Sequence, residues 1–136
     1  MDKETAKKKK ARDVLFVCYA NINRSPTAER VFKEMLKERG YKIYDKENSH
    51  NYDIKVLSAG IDAWTGNNQM TQDLGDKVDE IFALDGSVKH ALIKGFNQSE
   101  EKVVNLNIPD VYHRDDPSLV RVLREKLVKY CEPRDN

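Results

Sequence analysis

Apolar residues along the chain fall into two alternating patterns, short continuous runs and longer stretches with helical spacing. The continuous runs are rich in β-branched and aromatic residues, which is typical of strands buried on both faces of a parallel sheet. We place these four strands at residues 14–17, 55–60, 80–84 and 103–108. Strands that alternate with helices predict an α/β fold, in which helices cover a parallel sheet through right-handed crossovers.

Helices are predicted between the strands. The first begins near Pro26, a residue favoured in a first helical turn, and its apolar pattern stops at Gly40. Asp116 followed by Pro117 predicts the N-cap and the first position of the last helix. Two further helices, the first of them short, are placed at residues 71–78 and 87–96. The remaining long segments are predicted as a loop or weak hairpin at 41–54 and a flexible loop at 61–70.

Length and composition limit the possible architectures. A chain of 136 residues predicts one domain, and 39% hydrophobic with 35% charged residues is typical of a globular protein. The longest apolar run, Val14 to Ala20, has seven residues, whereas a membrane-spanning helix needs about 20. We therefore expect a soluble, cytoplasmic protein with no membrane partner.

The charge is unevenly distributed. Residues 1–12 carry a net charge of +4, against −3 for the rest of the chain. Four consecutive lysines at 7–10 predict a disordered basic tail over 1–12, followed by the domain at 13–131 and a flexible C-terminus at 132–136. The tail is interpreted either as a solvated end or as a contact for nucleic acid or acidic lipid. A body without basic excess argues against a dedicated nucleic-acid binder.

The cysteines and histidines predict neither a disulfide framework nor a metal site. Cys18 and Cys131 are separated by 113 positions, so we expect any special role of a thiol to be chemical. None of the histidines stands at ligand spacing from another plausible ligand, and we expect all three to lie on the surface. They are His50, His90 and His113.

A candidate anion site follows the first strand. Ligands of open parallel sheets bind beyond the carboxyl ends of the strands, and here a loop leads from Cys18 at a strand end to Arg24 at a helix start. Backbone N–H groups, the helix dipole and the guanidinium would together hold a tetrahedral dianion, and the same field favours a thiolate. A buried structural cysteine is the alternative. The intervening residues are Tyr19, Ala20, Asn21, Ile22 and Asn23.

Several segments resemble one family in the same order along the chain. Residues 14–18 with Asn21 and 24–29 are similar to the opening of the low-molecular-weight protein tyrosine phosphatases, and the resemblance spans about residues 13–130. Three later segments support the match, at 58–60, 79–85 and 108–112. The resemblance implies a flavodoxin-like three-layer sandwich, with a four-stranded parallel sheet of order 2-1-3-4 and helices on both faces. It also implies two-step phosphomonoester hydrolysis through a phosphocysteine, without a cofactor.

The resemblance also implies roles for individual residues. Cys18 matches the nucleophile, Arg24 the phosphate clamp and Ser25 the hydroxyl that hydrogen-bonds the thiolate and helps it to leave. Asn21 matches a residue that holds the loop in an unusual backbone conformation, which asparagine tolerates. Ser58 matches a residue whose hydroxyl supports that asparagine.

An acid is required as well, because an aryl oxide has a conjugate pKa of about 10 and would leave slowly without a proton. Asp110 matches the general acid and base of the family. Its alternative role is to form a turn after Pro109. Asp115 and Asp116 are nearby alternatives for the general acid, but Asp116 is better explained as the N-cap of the last helix.

The expected substrate is a phosphotyrosine protein or a small aryl phosphate, with inorganic phosphate as product. Trp64 and Tyr112 match positions where the family places the walls of its cleft, and two aromatic walls would favour a phenyl ring. Trp64 as a partly buried loop anchor is an equal alternative.

The chain departs from the family pattern at three places. Asn23 replaces a second loop cysteine that many members carry, and Ala20 stands where a glycine usually allows a close backbone approach. The stretch between Gly60 and Asp79 is shorter than in full-length members, and by this comparison it lacks a helix.

Three other functions remain open. A thiol-coupled arsenate reductase needs resolving cysteines, for which only Cys131 is present. A phosphate carrier or phosphopeptide-binding module would use the same loop, but it has no reason to keep an acid such as Asp110. Dephosphorylation of phosphoserine on a nucleic-acid-bound partner, guided by the basic tail, is the third.

Overall fold

The computed structural model describes residues 11–132 and contains one parallel sheet. Its strands run in the order β2-β1-β3-β4, and every pair is parallel, as predicted. The strands are β1 Arg12–Cys18, β2 Ile54–Gly60, β3 Glu80–Ala83 and β4 Val103–Asn105. The predictions for residues 1–10 and 133–136 lie outside the described residues. β1 begins at Arg12, the last residue that the sequence assigned to the tail.

Four α-helices connect and cover the strands of the described chain. They are α1 Arg24–Glu38, α2 Gln72–Lys77, α3 Gly86–Gly95 and α4 Pro117–Leu127, with short 3-10 turns at Glu100–Lys102 and Val128–Cys131. α2 confirms the short helix predicted at residues 71–78. It shows that the family comparison was wrong to expect no helix between Gly60 and Asp79. The helix forms because the Thr71 side chain accepts a hydrogen bond from the Leu74 N–H at 3.1 Å.

Both faces of the sheet are covered, which makes the fold a three-layer sandwich. Phe16 of β1 stacks on Phe82 at 5.0 Å and meets Phe32 of α1 edge-on at 5.5 Å. On the opposite face, Leu15 and Val17 of β1 belong to a second buried cluster that includes residues of α3. Alternate side chains of β1 thus enter two separate cores, which explains why its sequence is continuously apolar.

Two segments differ from their predicted form. Ile43 pairs with Ile54, the first residue of β2, in an isolated parallel bridge. Residues 41–53 therefore form a loop, as one of the two alternatives for 41–54 predicted, and the weak hairpin was wrong. β4 ends at Asn105, three residues earlier than predicted, because the Asn105 side chain accepts a hydrogen bond from the Asn107 N–H and Asn107 turns to a φ of 58°. None of the helices described here combines the length and apolar character that a membrane crossing requires.

Candidate active site

The loop that joins β1 to α1, residues 18–25, curls around the sulfur of Cys18; we call it the Cys18 loop. Asn21 adopts the left-handed conformation with a φ of 58°, which asparagine tolerates better than most residues. The reversal directs the Asn21 backbone N–H toward the Cys18 Sγ, at a distance of 3.3 Å. Asn23, at the N-cap of α1, makes no side-chain capping hydrogen bond. The helix N-terminus therefore keeps N–H groups for an anion.

The Cys18 sulfur also contacts the hydroxyl of Ser25, at 3.0 Å. The side-chain amide of Asn21 donates to the Ser25 Oγ at 2.9 Å. Because this amide can only donate, the hydroxyl hydrogen of Ser25 is available for another acceptor, either the sulfur or the Ala59 carbonyl at 3.3 Å. Cys18 is only 3% exposed, so these contacts are largely shielded from water.

Asn21 is held from three sides. Its side-chain amide donates to the Ser58 Oγ at 3.1 Å, in addition to Ser25, and its Oδ1 accepts the backbone N–H of Asn68 at 3.0 Å. The Asn68 side chain in turn donates to the Ser58 carbonyl at 3.1 Å. Sequence reasoning found Ser58 but missed Asn68, which lies in a polar stretch with no pattern of its own. The loop after β2, residues 61–70, is thereby tied to the Cys18 loop, and we call it the Trp64 loop.

Gly60, the last residue of β2, lets the Cys18 loop pass directly over the strand. A Cβ at this position would lie 2.7 Å from the Asn21 nitrogen, 2.8 Å from the Ala20 carbonyl carbon and 2.9 Å from the Tyr19 oxygen. The family pattern has a glycine at position 20 to allow a close backbone approach. In this structure the closest packing of the loop backbone on the strand occurs at Gly60 instead. Ala20 is not among the residues with positive φ, so alanine fits there without strain.

Arg24 is buried, with 2% exposure, and one edge of its guanidinium is fixed by the protein. Its Nη1 donates to the Ile108 carbonyl at 2.6 Å and to the Asp85 Oδ2 at 2.8 Å. Its Nε is buried, makes no hydrogen bond, and lies 3.4 Å from the Asp110 Oδ1. An unsatisfied buried donor is costly, and this one faces the side of the molecule where Asp110 lies.

Asp85, which sequence reasoning missed, connects Arg24 to α3. Its Oδ1 caps that helix by accepting the Val88 N–H at 2.9 Å and the Ser87 hydroxyl at 2.7 Å, while its Oδ2 accepts from Arg24. Burial alone would raise the pKa of Asp85, but the hydrogen bonds from Arg24, Val88 and Ser87 outweigh it and lower the pKa. The available signal was an acidic residue two positions after the end of β3, at the same sheet edge as Cys18.

Asp110 is exposed, with 62% of its side chain accessible, in the loop between β4 and α4. We call residues 106–116 the Asp110 loop. The described residues show no hydrogen bond from a backbone N–H to the Asp110 side chain, so the turn-forming alternative has no support. Both competitors are engaged elsewhere. Asp115 pairs with Arg30 at 3.0 Å, and Asp116 caps α4 by accepting the Ser118 N–H at 2.8 Å, as predicted.

Exposed apolar side chains lie on the loops around the site. Trp64 is 67% exposed, so its interpretation as a partly buried anchor was wrong. Tyr112 is half-buried and packs against the core. Tyr19 and Val111, which were not predicted as rim residues, are 54% and 73% exposed, and the Tyr19 hydroxyl donates to Asp62 at 3.2 Å.

Of the other predicted residues, Ile22 and Asn23 are half-buried, and His50, His90 and His113 are exposed as expected.

Cys131 lies at the opposite edge of the sheet from Cys18. Its neighbour Tyr130 accepts a hydrogen bond through its carbonyl from Arg12, the first residue of β1, at 3.3 Å. Cys18 is the last residue of the same strand, about 20 Å from Arg12 at roughly 3.3 Å per residue, so the two cysteines lie toward opposite ends of β1. Cys131 is fully buried, and this burial raises the pKa of its thiol.

Comparison with known proteins points to one family. The model of the low molecular weight phosphotyrosine protein phosphatases matches residues 13–125. The low molecular weight protein-tyrosine-phosphatase PtpA of Staphylococcus aureus (strain Newman) is 46% identical over 52 residues, which cover 38% of this chain and 27% of PtpA. The matched segment thus spans about a quarter of the length of this curated relative.

Solved structures share the fold. The tyrosine phosphatase Wzb from Escherichia coli K30, in complex with sulphate, has a TM-score of 0.68 at 18% identity, with 90% of this chain and 97% of Wzb covered. A YwlE mutant from Bacillus subtilis has a TM-score of 0.63 at 22% identity, with 89% and 94% covered. A second YwlE structure, of an arginine phosphatase whose active site cysteine was changed to a phosphorylated serine, has a TM-score of 0.61 at 22% identity, with 88% and 99% covered.

Proposed function

The chain belongs to the low molecular weight phosphotyrosine protein phosphatase family, and we propose that it hydrolyses phosphotyrosine in proteins, and small aryl phosphates, through a phosphocysteine on Cys18. One observation carries the proposal. The Cys18 sulfur lies 3.3 Å from a loop N–H and 3.0 Å from the Ser25 hydroxyl, in a loop that ends at a buried arginine with an unused N–H. This arrangement suits a thiolate beneath a bound dianion.

In the first step, the Cys18 thiolate attacks the phosphorus in line with the ester oxygen. The S–P bond forms, the P–O bond to the tyrosine breaks, and Asp110 gives its proton to the departing phenolate. The loop N–H groups and the Arg24 Nε hold the equatorial oxygens, where negative charge is concentrated. Help from a general acid is typically worth about 10² to 10⁴ in rate.

In the second step, water attacks the phosphocysteine. The Asp110 carboxylate takes a proton from this water, the P–S bond breaks, and Cys18 leaves as a thiolate while inorganic phosphate is released. The Ser25 hydroxyl stabilises the leaving sulfur, because the Asn21 amide already donates to its oxygen. Asp110 suits both steps, since its exposed carboxylate lies 3.4 Å from the arginine that would hold the phosphate.

The side chains around the site favour an aryl substrate. Tyr19, Trp64 and Val111 offer exposed apolar surface on three different loops. A phosphotyrosine ring can cover such surface, whereas the shorter phosphoserine side chain cannot. With Tyr112, these residues would form the rim of the cleft.

The competing functions have less support. An arsenate reductase relay needs a second thiol near Cys18, but Cys131 is buried near the opposite end of β1. A binding module or carrier would leave Asp110 without a role.

A side-by-side time course tests the proposal. Peptides with phosphotyrosine, phosphoserine and phosphoarginine at one position are incubated with the full chain, with and without a chelator. We expect fastest phosphate release from the phosphotyrosine peptide, inhibition by vanadate and no effect of the chelator. The Cys18→Ser variant should lose turnover while it retains phosphate binding. Turnover that survives Cys18→Ser, or faster release from either of the other peptides, would contradict the proposal.

A further inference from the structure

A groove of about 500 Å³ lies beside the Cys18 loop, between α1 and the Trp64 loop. One wall is the exposed face of α1, and the other is formed by Gly66, Asn67 and Asn68, with Arg114 of the Asp110 loop also lining it. Asn21 of the Cys18 loop and Ser58, which hydrogen-bonds to Asn21, also line the groove. Its volume is in the range of ligand sites, about 300 to 1,000 Å³.

The groove has the length of a short peptide segment. Its α1 wall extends from Pro26, next to the Cys18 loop, to Lys37. These residues are eleven positions apart, which corresponds to about 16 Å along a helix. An extended chain rises about 3.3 Å per residue, so about five residues would fill this length.

The unmatched charge along the groove is positive. Glu29 pairs with Lys33 at 2.9 Å, and Glu34 pairs with Arg30 at 2.7 Å, so both acidic residues of the wall are neutralised. Lys37 and Arg114, by contrast, form no ion pair within residues 11–132. These two cations, near the far end of α1 and on the Asp110 loop, are available for a ligand's carboxylates.

We propose that this groove binds acidic residues that flank the phosphotyrosine of a protein substrate. The assignment rests on the proposed function, because the phosphotyrosine would anchor the peptide in the Cys18 loop, whose residue Asn21 lines the groove. Lys37 and Arg114 would pair with Asp or Glu side chains of the substrate. Asn67, whose side chain makes no hydrogen bond within the described residues, can bind the peptide backbone.

Two phosphotyrosine peptides test the assignment. One carries Asp and Glu on both sides of the phosphotyrosine, and the other carries Asn and Gln at the same positions. They are compared on the unmodified full chain, on the double variant Lys37→Glu/Arg114→Glu, and on the control Lys94→Glu/Lys126→Glu, which makes the same charge change at exposed positions of α3 and α4. Each kcat/KM is divided by the same variant's kcat/KM for p-nitrophenyl phosphate, so that folding and chemistry are factored out.

We expect the unmodified chain and the control to favour the acidic peptide about three- to tenfold, mainly through KM, since solvent-exposed ion pairs are individually weak. The preference should decrease at high salt and be lost or reversed in Lys37→Glu/Arg114→Glu. Equal cleavage of both peptides by the unmodified chain, or a preference that survives in this double variant, would overturn the groove assignment alone. Failure to cleave either peptide or p-nitrophenyl phosphate would overturn the proposed function and the assignment together.

Discussion

At the scale of single residues, Arg24 connects the parts of the site. Its Nη1 is held by Asp85 and the Ile108 carbonyl, 61 and 84 positions away in the sequence. This leaves the Nε side of a buried guanidinium for a ligand. The orientation of the Arg24 guanidinium, the proposed phosphate clamp, therefore depends on Asp85, a residue that would not itself contact phosphate.

Asp85 has two roles that can be separated by substitution. In Asp85→Asn the side-chain oxygen can still cap α3, but the negative partner of Arg24 is lost. We expect kcat/KM for p-nitrophenyl phosphate to fall at least about tenfold and inhibition by vanadate to weaken. The unfolding free energy at neutral pH should fall as well, because the buried Arg24 loses its charged partner. Asp85→Ala loses the cap as well and should also lose about 0.5 to 2 kcal/mol of unfolding free energy.

The pH profile gives a second readout for Asp85. Because its pKa is lowered in the folded protein, its contact with Arg24 is present above that pKa and is lost as the pH falls through it. Asp85→Asn should remove this contribution from the acid limb of the kcat/KM profile. Unchanged vanadate inhibition together with an unchanged acid limb in Asp85→Asn would show that the contact does not position Arg24.

At the scale of elements, the site depends on how closely the Cys18 loop packs on the end of β2. At Gly60 the loop backbone passes so near the strand that no Cβ fits, and the obstructing atoms are main-chain atoms rather than a flexible side chain. The shape of the Cys18 loop is therefore fixed by a residue on a neighbouring strand. Gly95, at the end of α3, has no atom within 4 Å of its own Cβ position and serves as the matched control.

Gly60→Ala should displace the Cys18 loop. We expect a loss of about 1 to 3 kcal/mol in unfolding free energy, typical of overpacking, and a fall of at least about 10² in kcat for p-nitrophenyl phosphate, since misplacement of about 1 Å is enough for such a loss. Gly95→Ala should keep full activity and be neutral or up to about 1 kcal/mol more stable. Urea unfolding and initial rates measure both effects, and a fully active Gly60→Ala would contradict this account of the loop.

Sequence patterns predicted the elements well because periodicity is a local property. The strand order and the positions of β1 and α1 agree with expectation, and Cys18, Asn21, Ser25 and Ser58 are brought together. Asp85, Asn68 and Gly60 were missed, because each acts through a contact with a distant part of the chain. Asn68, for example, meets Asn21 across 47 positions. No local pattern encodes such a pairing.

At the scale of the whole molecule, the carboxyl and amino ends of the sheet's strands carry different groups. The carboxyl edge carries the candidate site, whereas the amino edge carries two carboxylates close to each other. The Asp13 N–H donates to the Asp79 Oδ2 at 2.7 Å. Burial raises the pKa of Asp13, Lys55 opposes this effect and Asp79 adds to it. Ionised Asp13 is therefore less favourable in the folded protein than in the unfolded chain.

Asp13 should consequently reduce stability at neutral pH. A carboxyl whose pKa is raised by folding contributes stability below its unfolded pKa, and this contribution is lost as the pH rises through the folded pKa. We expect Asp13→Asn to be more stable than the unmodified chain at pH 7, with no such gain at about pH 3 where both states are protonated. Urea unfolding at both pH values measures this difference. An equal or larger gain in unfolding free energy at the acidic pH would show that folding does not raise the pKa of Asp13.

The central claim is that the Cys18 sulfur accepts the phosphoryl group. Its most direct test is rapid acid quenching of the full chain during turnover of a phosphotyrosine peptide labelled in its phosphoryl group, followed by mapping of the label. We expect label on the segment that contains Cys18 in the unmodified protein, and neither label nor turnover in Cys18→Ala. Phosphate release without label on Cys18 at any quench time, or turnover by Cys18→Ala, would contradict the mechanism.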